Sequence, residues 1–260
     1  VLVTSIHADS AGTTNDLRGQ VLVAAASDLV FVLDSLKAAF AREHPAVTVT
    51  ATTGASGSLF AQIRNGAPFD LFLAADRAYP TKLAESGHAD PSSLFTYAEG
   101  HLVLWTTRTN GSLKEGLSVL LDPDIRHIAI ANPETAPYGR AARSALVQAG
   151  LWDRVQPRLV IAENIAQASQ FVTSGNAEFG LISASLLERP EMRGRGLRLA
   201  VPPGLHPPIL QGAILTRFGA TNPAAAEFLQ FLRSPTVREL LSRSGLTAPT
   251  ESDPSNAKGP

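Results

Sequence analysis

The chain has 260 residues, 44% hydrophobic and 17% charged, with a formal net charge of -1, the composition of an ordinary globular protein long enough for two domains. With no Lys/Arg run there is no electrostatic footprint for nucleic acid, and no stretch reaches the roughly 18 apolar residues that span a bilayer, so direct membrane insertion is not expected. The lack of cysteine excludes disulfides, thiolate metal sites and a cysteine nucleophile, and no His-x-His, His-Glu-x-x-His or clustered carboxylates suggest a bound cation.

The chain opens Val1-Leu2-Val3-Thr4-Ser5-Ile6-His7-Ala8, then runs polar from Asp9 to Asp16. Residues 1–19 read as a lead-in or the remnant of a secretory signal peptide, which predicts export to the periplasm. Val21 to Ala26 is a short apolar run that reads as a strand. Beyond Ser27, the residues Leu29, Val32, Leu33, Leu36 and Phe40 recur at helical steps, predicting a helix over 28–43 with Ser27 as its N-cap. The leading N–H groups of a helix lack partners within it and sit at the positive end of its dipole, so such a junction suits an anion. The alternative is that Ser27 only caps its own helix.

Val47 to Ala51 alternates as a strand should. It leads into Thr52-Thr53-Gly54-Ala55-Ser56-Gly57-Ser58, a small polar loop opening onto Leu59, Phe60 and Ile63 at helical spacing. Gly54 and Gly57 permit close backbone approach, while Ser56 and Ser58 offer hydroxyls. Phe69 to Ala75 reads as a buried strand and Asp76-Arg77-Ala78 as the next helix start. The succession predicts a parallel α/β sheet with ligands at the carboxyl ends of its strands.

After Tyr97 the pattern changes, and Leu102 to Thr107 reads as a strand of another domain, with Gly100 at the crossing. Ile128 to Ile130 is then a strand, 132–137 a loop, and Tyr138 to Gln148 a helix whose first amides belong to Tyr138 and Gly139. Leu159 to Ile161 is a strand, Asn164 the N-cap of a helix from Ile165, and Phe179 to Ile182 a strand ending in Ser183-Ala184-Ser185. The proline-rich stretch 201–208 links rigid pieces, Ile209 to Thr216 returns as a strand, and a helical region from Phe228 to Leu241 packs onto the first domain. The pattern therefore gives two α/β domains, with a crossing near Gly100 and a return through Ile209 to Thr216. Domain I comprises 20–98 plus 209–249, domain II comprises 99–208, and 250–260 is a polar, disordered tail.

These residues resemble the periplasmic molybdate-binding proteins of ABC importers, a family with the type II periplasmic-binding fold. The resemblance rests on Ala24-Ala25-Ala26-Ser27, Ala55-Ser56-Gly57-Ser58 and the run from Gly66-Ala67-Pro68 to Asp76. In the second half it rests on Asn132 to Gly139, Ala162-Glu163-Asn164-Ile165 and Phe179 to Ser183, so that residues 20 to 248 are covered. The resemblance implies two similar α/β domains joined by two crossing segments, with a ligand cleft between them. It also implies an oxyanion held by hydroxyls and backbone amides, with no neutralising Lys or Arg and no cofactor. The donors are Ser27 and Ser56 from the first domain and the amides of Tyr138 and Ile165 from the second. Many members add a tyrosine hydroxyl where this chain has Ser183, which either reaches the anion through water or leaves it four protein contacts. Also implied are molybdate or tungstate as ligand, an ABC importer permease as membrane partner, and closure of the domains around the ion. A monomer is expected.

The rival reading is a serine hydrolase. Gly54-Ala55-Ser56-Gly57-Ser58 is one residue short of the Gly-x-Ser-x-Gly elbow, and Asp70 or Asp76 with His88, His101, His127 or His206 would complete a triad on paper. Two further alternatives keep the fold: a receptor for another small oxyanion such as sulfate, or the effector domain of a regulator.

Overall fold

The computed structural model describes residues 17–110 and 112–249; the expectations for most of the lead-in and for the 250–260 tail lie outside them. Ten strands form two five-stranded sheets. The first contains β1 (Gly19–Ala26), β2 (Val47–Gly54), β3 (Leu71–Ala74), β4 (Phe95–Gly100) and β10 (Ile209–Leu215), in the order β2-β1-β3-β10-β4. The second contains β5 (Leu102–Thr106), β6 (Ile128–Ala131), β7 (Leu159–Ala162), β8 (Phe179–Ser183) and β9 (Leu197–Ala200), in the order β7-β6-β8-β5-β9. The helices are α1 (Val32–Glu43), α2 (Ser56–Arg64), α3 (Ala78–Glu85), α4 (Pro137–Gln148), the short α5 (Trp152–Val155), α6 (Ile165–Thr173), α7 (Pro223–Leu232) and α8 (Pro235–Arg243).

The central strands β3 and β6, Leu-Phe-Leu-Ala and Ile-Ala-Ile-Ala, are buried at every residue. Helices cover both faces of such strands, so continuous apolar runs replace the alternation of a half-exposed sheet. Edge strands read differently: β2 carries Thr48, Thr50, Thr52 and Thr53 and is largely uncovered. Under the first sheet, Phe40 of α1 meets Phe228 of α7 edge-on at 4.9 Å between ring centroids, a contact worth about 0.5–1.5 kcal/mol beyond burial itself. This pair ties the C-terminal helices to the first sheet.

Each sheet is mixed: the strands expected to be parallel are so, and antiparallel strands join them. β1 runs parallel to β2 and β3, but β10 runs antiparallel to β3 and β4. Likewise β6 is parallel to β7 and β8, while β5 is antiparallel to β8 and β9. The reason is the connectivity: the chain leaves the first sheet at Gly100, turns at His101 directly into β5 of the second, and returns through 201–208 into β10. Strands that carry the chain across lack the helical crossover that a parallel neighbour requires.

Ser27 does not cap α1. A 3-10 turn over Ser27–Leu29, with Ala26 at its cap position, intervenes, and α1 begins only at Val32. The periodic apolar residues Leu29, Val32, Leu33, Leu36 and Phe40 are all buried as expected, because a 3-10 turn followed by an α-helix preserves enough of the apolar stripe to hide the break.

Candidate oxyanion site

The carboxyl ends of β1 and β2 in the first sheet and of β6 and β7 in the second turn toward one another. A small cavity lies between them, bordered by Ser27, Ser56, Tyr138 and Ile165. Four chain segments from both sheets thus bring together the four residues on which the oxyanion expectation rests. Ser183 does not border this cavity. It is fully buried behind it, and its hydroxyl pairs with that of Ser185 at 2.8 Å.

Three of the four are placed by helix starts. Ser56 is the first residue of α2, with Ala55 as N-cap in extended conformation. Tyr138 is second in α4, after Pro137 at the first position, where a missing N–H costs nothing and φ is already helical. Ile165 is first in α6, capped by Asn164, whose side chain accepts from the Gln167 amide at 3.1 Å. Amides in a first turn have no acceptor in their own helix, so the three N–H groups are donors at the positive ends of three dipoles. The Gly139 that follows Tyr138 is required by packing: a Cβ there would overlap the Ala131 carbonyl at the end of β6.

The two serines differ. The Ser56 hydroxyl accepts from the Ala75 amide at 3.0 Å, which turns its own proton outward as a donor. Ser27 is 4% exposed and its hydroxyl has no hydrogen-bond partner among the described residues. No Lys or Arg borders the cavity. Its chemistry is that of neutral donors aimed inward, suited to a compact anion with acceptors on every side.

The chain's sequence alone did not single out Asp28, next to Ser27 and also on the cavity wall. Its side chain is buried, and Oδ2 accepts from the Tyr138 hydroxyl at 3.0 Å and from Gln211 Nε2 at 2.5 Å. Gln211 accepts in turn from the Tyr97 hydroxyl at 2.7 Å, and the Ser185 hydroxyl donates to the Asp28 carbonyl at 2.8 Å. Burial pushes the Asp28 carboxyl up to about 6, with the hydrogen bonds from Gln211, Tyr138 and its own backbone amide opposing it. Burial, then the nearby Asp28 charge, drives both tyrosines well above the usual phenol range, so they remain donors. An acidic residue beside an anion-site serine was the available signal.

The hydrolase arrangement is not assembled. Asp70 accepts from the Leu22 amide at 2.7 Å and from Asn222 at 3.1 Å, tying the start of β3 to β1 and α7. His88 bonds Ser86, His101 bonds Thr247, His127 faces Glu178 and His206 bonds the Pro207 carbonyl. None of these histidines contacts Ser56, whose hydroxyl serves the Ala75 amide.

The family described as bacterial extracellular solute-binding proteins matches residues 21–247. This chain belongs to it. A family member of this kind is a solute receptor outside the cytoplasmic membrane and not a catalyst. It is 37% identical to the molybdate-binding protein ModA of Rhodobacter capsulatus over 87% of this chain and 88% of that one. It also matches the solved structure of the Azotobacter vinelandii periplasmic molybdate-binding protein with a TM-score of 0.84 and 34% identity, covering 88% of this chain and all of that one. A match to the sulfate-binding protein SubI of Mycobacterium tuberculosis, at TM-score 0.70 and 15% identity over 92% of this chain and 89% of that one, shows the shared fold.

Proposed function

We propose that this protein captures molybdate, and tungstate with it, between its two halves and delivers the ion to an ABC importer permease. The observation that carries the reading is the convergence of Ser27, Ser56, Tyr138 and Ile165, drawn from both sheets, on one cavity without a cationic side chain. The likeness to two molybdate-binding proteins supports the choice of ion. In this reading the hydroxyls of Ser27 and Ser56 and the amides of Ser27, Ser56, Tyr138 and Ile165 donate to the oxyanion, and Ser183 acts behind them through Ser185.

The ring of serine hydroxyls and helix-start amides suits a fully deprotonated tetrahedral dianion. Phosphate carries a proton at neutral pH, and the Asp28 carboxyl on the wall already takes two hydrogen bonds at Oδ2 and is buried at Oδ1, so that proton is poorly paired, at a cost of about 1–3 kcal/mol. Sulfate is smaller than molybdate and cannot touch a fixed ring on all sides. The halves correspond to 20–100 plus 209–249 and to 101–208, since β4 keeps Glu99 and Gly100 in the first sheet, two residues beyond the boundary expected at 98. Because each supplies part of the ring, the anion stabilises the closed arrangement in which the ring is complete. Closure is the signal for the permease, and a monomer suffices for it.

The test is thermal unfolding of dialysed protein with molybdate, tungstate, sulfate or phosphate at equal ionic strength. A ligand at about 1,000 times its dissociation constant stabilises by roughly 4 kcal/mol, a large rise in melting temperature expected for the first two ions only. No rise with molybdate overturns the reading.

A further inference from the structure

We propose that Asp28 takes up one proton as the anion is captured, so that the oxyanion is enclosed beside a neutral carboxylic acid and the affinity falls with rising pH. The proposal rests on the reading of the cavity as a dianion site.

Asp28 borders the cavity directly after Ser27 and lies among groups from both halves. Tyr138 and Ser185 approach from the second half, Gln211 and Tyr97 from β10 and β4 of the first. Its two carboxyl oxygens are unlike. Oδ2 receives two hydrogen bonds, whereas Oδ1 is buried with no partner. A carboxylate needs donors at both oxygens to remain charged out of water. A proton placed on Oδ1 removes the buried charge and leaves both bonds to Oδ2 intact.

Among the described residues no cation pairs with the charge. On its other side Asp28 borders a second cavity with Glu188, Arg189, Arg193 and Arg243. Arg193 pairs with Glu188, Arg243 with Glu239, and the Arg189 guanidinium lies over the Phe31 ring at 4.3 Å. None forms an ion pair with Asp28. Tyr138 and Tyr97, the titratable groups on the hydrogen-bonded side, keep their protons, as shown above. Burial raises the carboxyl to about 6, and a dianion in the cavity raises it further, since like charges in low dielectric disfavour the ionised form. Parting the halves withdraws Tyr138 and Ser185 and returns Asp28 to water, where a carboxylate is ordinary. Capture with closure therefore draws one proton from solvent onto Oδ1, and no other bond changes.

The experiment is calorimetric titration of the full chain with molybdate in buffers of differing ionisation enthalpy, which counts protons. At about pH 6 at least about half a proton per anion is expected to be taken up, with less at about pH 9, and the affinity rises correspondingly as pH is lowered. Asp28→Asn, whose amide oxygen still accepts from Tyr138 and Gln211, should bind molybdate without uptake. Tyr138→Phe keeps the backbone amide and removes one donor that favours the charged carboxylate, so uptake should persist to higher pH; this variant and the wild type decide the matter if Asp28→Asn does not fold. Binding with no buffer dependence in the wild type overturns the proposal alone, as does uptake undiminished in Asp28→Asn. Absence of molybdate binding overturns the site reading and the proposal together.

Discussion

Arg140, in the first turn of α4, donates from Nη2 to Asp76 Oδ2 at 2.5 Å and from Nη1 to the Tyr79 hydroxyl at 2.9 Å, joining the second half of the molecule to the first beside the anion cavity. Its guanidinium also lies over the Tyr79 ring, 5.3 Å from the centroid. These contacts require the two halves to be together, and none touches the anion. Arg140→Ala should therefore leave the association rate nearly unchanged and speed release. The pair is partly exposed, 39% and 35%, so solvent screening limits it to about 1 kcal/mol, or roughly fivefold in rate. Release measured by chasing bound molybdate with excess tungstate checks this; an unchanged rate removes Arg140 from the closing contacts.

The two serines should separate by what else they hold. Ser27→Ala removes a hydroxyl with no protein partner among the described residues, so stability without ligand should change by less than about 0.5 kcal/mol while molybdate weakens by roughly 1.5–3 kcal/mol, the range for hydrogen bonds to a charged group. Ser56→Ala should weaken molybdate similarly and also destabilise the ligand-free protein by about 1–3 kcal/mol, because the Ala75 amide that it satisfies is left buried and unpaired. Calorimetry and denaturant unfolding of both variants test the contrast.

The convergence of serine-bearing and amide-bearing junctions was legible because each follows from local pattern: an apolar run, a small polar loop, then helical periodicity. Ser56, Tyr138 and Ile165 stand at helix starts where that pattern puts them. The 3-10 turn after Ser27 was not legible, since Leu29, Val32, Leu33 and Leu36 present one buried stripe whether or not the helix is interrupted. β4 and β9 were also missed. Both are edge strands next to crossing segments; β9 alternates weakly over four residues, and β4 gains its place through antiparallel pairing with β10, more than 100 positions away. Asp28, Gln211 and Tyr97 escaped for the same reason. Their hydrogen bonds span 73 to 183 residues, and no periodicity encodes a contact of that range.

Glu178 offers a separate pH test, far from the anion. Burial works to raise its carboxyl, but it is outweighed by the backbone amide of His127, donating at 2.7 Å, by its own backbone amide, and by the charges of His127 and Arg108, so the group sits below the ordinary glutamate range. A carboxyl held lower in the folded than in the unfolded chain contributes stability that is present above the unfolded value, and that contribution is lost as pH falls through the folded one. Glu178→Gln should therefore lower stability at neutral pH and flatten its decline on the acid side. Denaturant midpoints taken from about pH 7 down to about pH 3 check the slope; parallel curves for variant and wild type contradict it.

Gly57 supplies the sharpest test of closure because the backbone that crowds it lies across the cleft. Its amide donates to the Thr135 carbonyl at 2.8 Å, and a Cβ built on it would stand 2.8 Å from both that carbonyl oxygen and the Tyr79 hydroxyl. Tyr79 can turn aside, but the Thr135 carbonyl is backbone fixed by the loop before α4. Gly57→Ala should thus wedge the halves apart. As a helical glycine replaced by alanine it should leave the ligand-free protein as stable as the wild type or up to about 1 kcal/mol more so, while molybdate affinity falls at least about tenfold, the equivalent of about 1.4 kcal/mol. Solution scattering distinguishes the cause: with saturating molybdate the wild type should contract and the variant should contract less. Gly139→Ala is the control, since its Cβ meets Ala131 within the second half and should lower folding stability itself. Equal contraction and affinity in wild type and Gly57→Ala would show that the Gly57–Thr135 contact does not limit closure.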